Sequence, residues 1–219
     1  MNILSATPLF RALVIALLLF TSPAHGAGHY PHFDDRVREF EADKKTYDVV
    51  MVGDSITEGG HWSELFPAMR VANRGIGGDS VTGIIDRLPT IRSTGAKYIF
   101  LMIGVNNILA GEKSATQIVP TYQNLITALA DTGAKVTVQS TLYISVPNQE
   151  SKNKEIEILN HAISLFCREN NVNYVDLNSV LSRNQSLRSD VTSDHIHLND
   201  YGYLLWAGKI RPLIDSFSR

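Results

Sequence analysis

The chain has 219 residues, a formal net charge of −2 and 44% hydrophobic residues. This length is sufficient for a single domain with a sizeable hydrophobic core. Because charges are balanced and no long basic run occurs, the composition excludes the usual signature of proteins that bind nucleic acid or an anionic membrane surface.

The first 26 residues have the pattern of a secretory signal peptide. Arg11 precedes nine apolar residues at 12–20, and the small residues Ala24 and Gly26 follow. This pattern predicts export with cleavage after Gly26, and the apolar run is far shorter than the roughly 20 residues that span a bilayer. We therefore expect a domain of residues 27–219 that is secreted or periplasmic and has no stable membrane insertion. A buried core helix and an uncleaved anchor are the alternative interpretations.

Short apolar runs alternate with helical patterns along the rest of the chain. The predicted strands are Tyr47–Val52, Arg70–Ala72, Tyr98–Ile103, Lys135–Tyr143 and Asn173–Val175. The predicted helices are Ser63–Ala68, Ser80–Leu88, Ala115–Ala130, Lys152–Asn170 and Tyr201–Phe217. This alternation predicts right-handed βαβ units and a parallel sheet covered on both faces. Ligands bind such sheets beyond the carboxyl ends of the strands.

A serine follows the first predicted strand directly, in the segment Gly53-Asp54-Ser55. A serine between a strand end and a helix start can project its hydroxyl over the sheet edge, where free amide N–H groups can stabilise an anion. Ser55 can therefore act as a nucleophile, although the segment differs from the G-x-S-x-G elbow. It can equally be a helix N-cap without a chemical role.

Glycines and asparagines follow the next two predicted strands. Residues 73–80 read NRGIGGDS, in which three glycines among four residues let the backbone approach a ligand closely. A plain turn is one interpretation, and a phosphate-binding loop is another, although the P-loop lysine and the G-x-G-x-x-G spacing are absent. After the third strand, Asn106 can form a turn or donate its amide to a developing oxyanion.

An acid and two histidines lie near the C-terminus, in the segment Asp194-His195-Ile196-His197. The spacing of Asp194 and His197 in a loop can place the carboxylate against one imidazole nitrogen while the other faces a nucleophile. The His-x-His pair can instead bind zinc. No cluster that would supply a third ligand is evident, which disfavours zinc, and we expect neither a metal nor an organic cofactor.

Together these segments resemble the four signature blocks of the SGNH (GDSL-type) hydrolases, in the family's order: GDSITEG, NRGIGGD, GVNN and DHIHLN. The resemblance extends over about residues 47–217. Asn107, where many members carry aspartate, and the GIGGD segment are similar to the branch of platelet-activating-factor acetylhydrolase-like esterases. The resemblance implies an α/β fold, a three-layer α/β/α sandwich with a five-stranded parallel sheet, similar to flavodoxin.

The resemblance also implies a role for each matched residue. Ser55 would be the nucleophile, and Asp194 and His197 would complete a catalytic triad in which His197 is the base. The backbone amides of Ser55 and Gly78 and the side chain of Asn106 would form the oxyanion hole. The departure at Asn107 leaves the Asn106 donor intact.

These matches imply an exported serine esterase that hydrolyses short-chain esters, with acetyl as the expected acyl group and an O-acetylated glycan as a natural substrate. The short, mostly polar loop Ile144–Glu150 should border the acyl or leaving-group site, with Trp62, Tyr143 and His195 as candidates for its rim. The alternatives are a lysophospholipase or thioesterase of the same family, an acyltransferase, and a non-catalytic carbohydrate-binding module.

Overall fold

The computed structural model describes residues 31–216, so the predicted signal segment lies outside the described residues. The strands in chain order are β1 (Val49–Gly53), β2 (Val71–Gly75), β3 (Tyr98–Met102), β4 (Lys135–Gln139), β5 (Asn173–Val175), β6 (Ser182–Arg183) and β7 (Ser186–Leu187). The helices are α1 (Pro31–Ala42), α2 (Ser55–Glu58), α3 (Trp62–Leu65), α4 (Val81–Asp86), α5 (Leu88–Arg92), α6 (Val105–Ala110), α7 (Ala115–Ala130), α8 (Glu150–Glu169), α9 (Asn178–Leu181) and α10 (Asp200–Ser216).

Strands β1 to β5 form one parallel sheet in the order β2-β1-β3-β4-β5. This is the strand order of flavodoxin-like proteins, and it confirms the predicted fold class. All five residues of β1 are buried, as expected for a central strand that is covered on both faces.

Helices cover both faces of the sheet. Helices α4, α7 and α8 contact one another in sequence and form one layer. On the other side, Trp206 of α10 packs edge-on against Trp62 of α3, with 4.8 Å between the ring centroids. Right-handed crossovers explain this division, because the chain runs from β1 to β2 in one direction and from β2 to β5 in the other.

The fourth strand is shorter than predicted, ending at Gln139 instead of Tyr143. Beyond it, asparagine side chains replace the ladder of a neighbouring strand. Asn160 accepts from the Thr141 amide and donates to the Thr141 carbonyl, both at 2.8 Å, and Asn153 makes the same pair of bonds to Ile144 at 3.0 and 2.8 Å. These bonds satisfy the backbone of the loop after β4 without adding a strand.

The carboxyl ends of the central strands meet at one edge of the sheet. Gly53 at the end of β1 is in register with Gly75 of β2 and with Met102 of β3. A Cβ atom on Gly75 would lie 2.2 Å from the Glu58 nitrogen, so only glycine lets α2 pack directly on the end of β2. Within residues 31–216, no helix is both long and apolar enough to cross a membrane.

Candidate active site

Ser55 begins α2 immediately after β1, and it is not the N-cap of this helix. The N-cap is Asp54, whose Oδ1 accepts a hydrogen bond of 3.0 Å from the Ile56 amide. Because Asp54 caps the helix, the Ser55 hydroxyl is available for another partner. Complete burial, reinforced by the nearby carboxylate of Asp79, raises the pKa of Asp54 to about 7.

A continuous relay of hydrogen bonds joins Ser55, His197 and Asp194. The Ser55 Oγ lies 2.8 Å from His197 Nε2, and His197 Nδ1 lies 2.6 Å from Asp194 Oδ2. The other carboxylate oxygen accepts from the amides of Ile196 and His197 at 3.0 and 2.7 Å. The structure therefore brings together the three residues predicted from the sequence, in the order hydroxyl, imidazole and carboxylate.

The carboxylate of Asp194 is held in its charged form. Partial burial acts to raise its pKa, but hydrogen bonds from the His197 ring and from the two amides outweigh this effect and lower the pKa to about 2. Both ring nitrogens of His197 are engaged, which leaves no free nitrogen for a metal ion. In the described part of the chain, no group of three histidine, cysteine, aspartate or glutamate residues could hold one.

His195 points away from the relay. Its φ angle of 74° is left-handed, and its Nδ1 lies 3.2 Å from the Ser145 hydroxyl. Its carbonyl oxygen accepts from the Ser145 amide at 2.9 Å. His195 thus connects the loop of Asp194 with the loop that follows β4.

The Gly77-Gly78 turn after β2 leaves one backbone amide unused. The amide of Ile76 donates to the Gly53 carbonyl at 3.1 Å, and the amide of Asp79 donates to the Ile76 carbonyl at 3.1 Å. The Gly77 amide donates to Glu58 Oε2 at 2.7 Å. Gly78 has a φ of 75°, and among the described residues its N–H has no acceptor, so it can donate to a ligand.

Asn106 is the second residue of α6 and reaches the same turn. Its Nδ2 donates to the Asp79 carbonyl at 2.9 Å, and because a primary amide carries two N–H donors, one remains for a ligand. Asn107 accepts from the Val81 amide at 3.1 Å. Both asparagines therefore fasten α6 to the segment that carries Gly78.

Residues 51–205 match the family model of the GDSL-like Lipase/Acylhydrolase family. The chain belongs to this family. The membership that the four sequence segments predicted is thereby confirmed, and it makes the chain a member of a family of carboxylic ester hydrolases. Helix α1 lies outside the matched residues.

Several known proteins are similar to this chain. A Streptococcus pneumonia protein assigned as a platelet activating factor has a TM-score of 0.71 at 20% identity, covering 83% of this chain and 90% of its own. An acetyl xylan esterase has a TM-score of 0.65 at 23% identity, covering 78% and 99% respectively. The N-acylneuraminate cytidylyltransferase of Streptococcus agalactiae serotype III is 30% identical over 142 residues, or 64% of this chain and 33% of the relative. The chain thus spans about a third of the length of the curated relatives it matches.

A buried ion pair that the sequence analysis missed supports the Gly77-Gly78 turn of this GDSL hydrolase. Arg87 Nε donates to Asp79 Oδ2 at 2.8 Å, and both side chains are 1% exposed. The Nη2 atom of Arg87 also donates to the carbonyls of Gly53 and Arg74, at 3.2 and 2.8 Å. One guanidinium therefore joins the ends of β1 and β2 to the residue after Gly78. The local sequence shows only an arginine near the end of the predicted helix Ser80–Leu88.

The predicted rim is partly wrong. Trp62 is 2% exposed and packs against Tyr203 and Trp206 in the core, because its indole fills the space between α3 and α10. Ser145 and His195, by contrast, border an open groove of about 1060 Å³. Most of the residues that line it have polar side chains, among them Ser182, Arg183, Ser186 and Ser189.

Proposed function

We propose that this GDSL hydrolase is an exported serine esterase that removes short acyl groups, above all acetyl, from carbohydrate esters. The observation that carries the proposal is the relay from Asp194 through His197 to Ser55, with distances of 2.6 and 2.8 Å. A nucleophile, a base and an orienting carboxylate in this arrangement are the recurring apparatus of acyl transfer.

The chemistry follows from these contacts. His197 takes the proton of the Ser55 hydroxyl through Nε2 as the oxygen attacks the ester carbonyl. The carbonyl oxygen becomes an oxyanion, which accepts hydrogen bonds from the amides of Ser55 and Gly78 and from Asn106 Nδ2. His197 then returns the proton to the leaving alcohol, and the acyl group remains on Ser55.

Water completes the cycle. His197 takes a proton from a water molecule that attacks the acyl-enzyme, and it then protonates Ser55 as the acid is released. Asp194 keeps its charge throughout, fixing the imidazole tautomer and stabilising the imidazolium. No step requires a group from outside the chain other than substrate and water.

The groove beside His195 supports a polar alcohol portion for the substrate. Its serine hydroxyls can donate hydrogen bonds to a sugar and accept them from it, and the Arg183 guanidinium can donate them. A similar protein supports the same direction, since it is an acetyl xylan esterase.

The pattern of residues 1–26 supports export to the periplasm or the medium. In that location, acetylated polysaccharides are accessible substrates. N-terminal sequencing of protein recovered from outside the cytoplasm should find Ala27 as the first residue. Recovery of active full-length protein from the cytosol alone would contradict export.

A hydrolysis panel tests the proposed function. We expect kcat/KM for p-nitrophenyl esters to be highest with acetyl and to fall towards palmitoyl, and acetate to be released from acetylated xylo-oligosaccharides, with Ser55→Ala as the blank. Preference for palmitoyl would favour the lysophospholipase or thioesterase alternative. Binding of the oligosaccharide without acetate release would favour the carbohydrate-binding module.

A further inference from the structure

Glu58 holds the amide that precedes the proposed oxyanion donor. This residue ends α2, three positions after Ser55, and its Oε2 accepts from the Gly77 amide at 2.7 Å. Gly77 and Gly78 carry no Cβ atoms, so their backbone has an unusually wide conformational range. The bond to Glu58 is the side-chain contact that fixes the direction of the Gly77 peptide, and with it that of its neighbour.

Helix α1 in turn holds Glu58. His32 Nε2 lies 3.0 and 3.2 Å from the two carboxylate oxygens. Arg36 Nε lies 3.1 Å from Oε1, as a contact between opposite charges that is not a directed hydrogen bond. His32 and Arg36 of α1 therefore position the carboxylate of Glu58, which ends the helix that Ser55 begins.

Helix α1 is seated by contacts that are partly buried. The Phe40 ring is 3% exposed and lies beneath the guanidinium groups of Arg36 and Arg74, at 4.7 and 4.6 Å from the ring centroid. Just beyond the helix, Asp43 pairs with Arg74 of β2 at 2.9 Å. Burial acts to raise the pKa of Asp43, but the bonds from Arg74 and its other donors lower it to about 2.

We propose that helix α1 is a positioning element of the active site, in which Arg36 and His32 hold Glu58 so that Glu58 orients the Gly77-Gly78 turn for oxyanion binding. The proposal rests on the proposed esterase function. It assigns a catalytic consequence to a helix outside the residues that match the family model, 51–205. Glu58, Arg36 and His32 touch no reacting atom and act through the oxyanion donor, so their replacement should lower kcat with little change in KM.

The first test replaces Glu58. Removing an oxyanion donor outright costs roughly 100- to 1,000-fold in kcat, and a misdirected donor should cost less, so we expect Glu58→Ala to lower kcat for p-nitrophenyl acetate by about 10- to 100-fold. KM should change by less than about two-fold, because the loss is confined to the transition state. Glu58→Gln keeps a carbonyl acceptor for the Gly77 amide and should recover most of kcat.

The second test uses a matched pair of arginines on α1. Arg36→Gln removes the contact with Glu58 and should lower kcat by about 3- to 10-fold with little change in KM, and Arg36→Lys should restore part of it. Arg38→Gln is the control, since Arg38 is 67% exposed and pairs with Asp35 on the outer face of the same helix. It should retain wild-type kcat.

The outcomes separate this proposal from the function on which it rests. A wild-type protein without Ser55-dependent hydrolysis would overturn both. The wild type could instead hydrolyse the ester while Glu58→Ala and Arg36→Gln have the same kcat as Arg38→Gln. That result, or a change only in KM or thermal stability, would overturn the role of α1 alone. If Glu58→Ala does not fold, Arg36→Gln against Arg38→Gln decides the question by the same criterion.

Discussion

The two sides of Ser55 are built differently. On the proposed oxyanion side, the Gly77-Gly78 turn is held by long-range contacts with buried charges, and the Asp79 and Arg87 side chains are each 1% exposed. On the proposed acid–base side, His197 and Asp194 are 45% and 54% exposed, and the Asp194 carboxylate accepts hydrogen bonds from backbone amides of its own loop.

This contrast follows from what each side must do. Donors that receive an oxyanion are most effective when they are fixed before the reaction, because no reorganisation is then needed. In the proposed mechanism, His197 must instead meet the leaving alcohol and the incoming water, which requires access from solvent. We therefore expect substitutions on the oxyanion side to affect both stability and kcat, and substitutions on the acid–base side to affect activity alone.

The largest effect should come from the relay itself. Ser55→Ala and His197→Ala should each lower kcat by at least roughly 10⁴-fold, and the double variant should be hardly worse, because residues that act as a unit are not additive. Their unfolding midpoints in urea should stay close to that of the wild type. A large loss of stability in His197→Ala would contradict the contrast between the two sides.

Asn106→Ala should have the next largest effect on turnover. Removing this donor should lower kcat by roughly 100- to 1,000-fold while KM for p-nitrophenyl acetate stays nearly constant. Asn107→Ala offers a comparison, since Asn107 also holds the segment after Gly78 but donates nothing to the proposed oxyanion. Equal losses in the two variants would mean that Asn106 acts only as a support.

Arg87→Met should lower the free energy of unfolding, because Arg87 holds the segment that follows Gly78. The substitution leaves Asp79 buried without its partner, which typically costs about 3–5 kcal/mol in the free energy of unfolding. Arg92→Met is the control, because Arg92 is an exposed residue at the end of α5. Urea denaturation of both variants measures the difference, and similar midpoints would show that the buried pair does not hold this region.

The same contrast explains what could be predicted from the sequence. The strands and the residues at their ends were predictable. Buried parallel strands are continuous apolar runs, and ligands bind such sheets beyond the carboxyl ends of the strands. The pair of Asp194 and His197 was visible in the spacing of a single loop. The acid–base side depends on local geometry of this kind, and most of it could therefore be predicted from the sequence.

The oxyanion side depends on contacts between residues that are distant in the sequence, and the sequence pattern does not predict such contacts. Nothing near Arg87 indicates that it meets Asp79, and Glu58 in the GDSITEG segment gives no sign of its bond to Gly77. Helix α1 itself was omitted, although Phe33, Val37 and Phe40 occur at helical spacing and could have revealed it. The true end of β4 was missed because the side chains that replace its ladder come from α8 and α9.

Asp54 offers a smaller, pH-dependent test of the buried side. Its pKa is raised by burial from 3.8 to about 7 in the folded protein, so between about pH 4 and pH 7 the unfolded chain binds fewer protons than the native one. This carboxyl therefore lowers the free energy of unfolding as pH rises through that window, and its effect is constant above it.

Asp54→Asn keeps an oxygen for the Ile56 amide and removes the titration. Its stability relative to the wild type should grow between pH 4.5 and pH 7.5, and a constant difference would contradict the assignment.

His195→Ala should have the smallest effect. The side chain contacts Ser145 at the groove and not the relay, so kcat for p-nitrophenyl acetate should stay within about two-fold of the wild type. Any loss should appear in KM for an acetylated oligosaccharide, which is large enough to reach the groove. A loss in kcat with the small ester would place His195 closer to the chemistry than its orientation indicates.

The central claim, that His197 activates Ser55 as the nucleophile, is tested most directly by covalent labelling. A fluorophosphonate probe should add one phosphonyl group per chain, located on the Ser55 peptide by mass spectrometry, and it should label the His195→Ala variant at a similar rate. His197→Ala and Ser55→Ala should remain unlabelled over the same period, because the hydroxyl without its base is a weak nucleophile. Labelling at another residue, or a reactive His197→Ala beside an unreactive His195→Ala, would contradict the account.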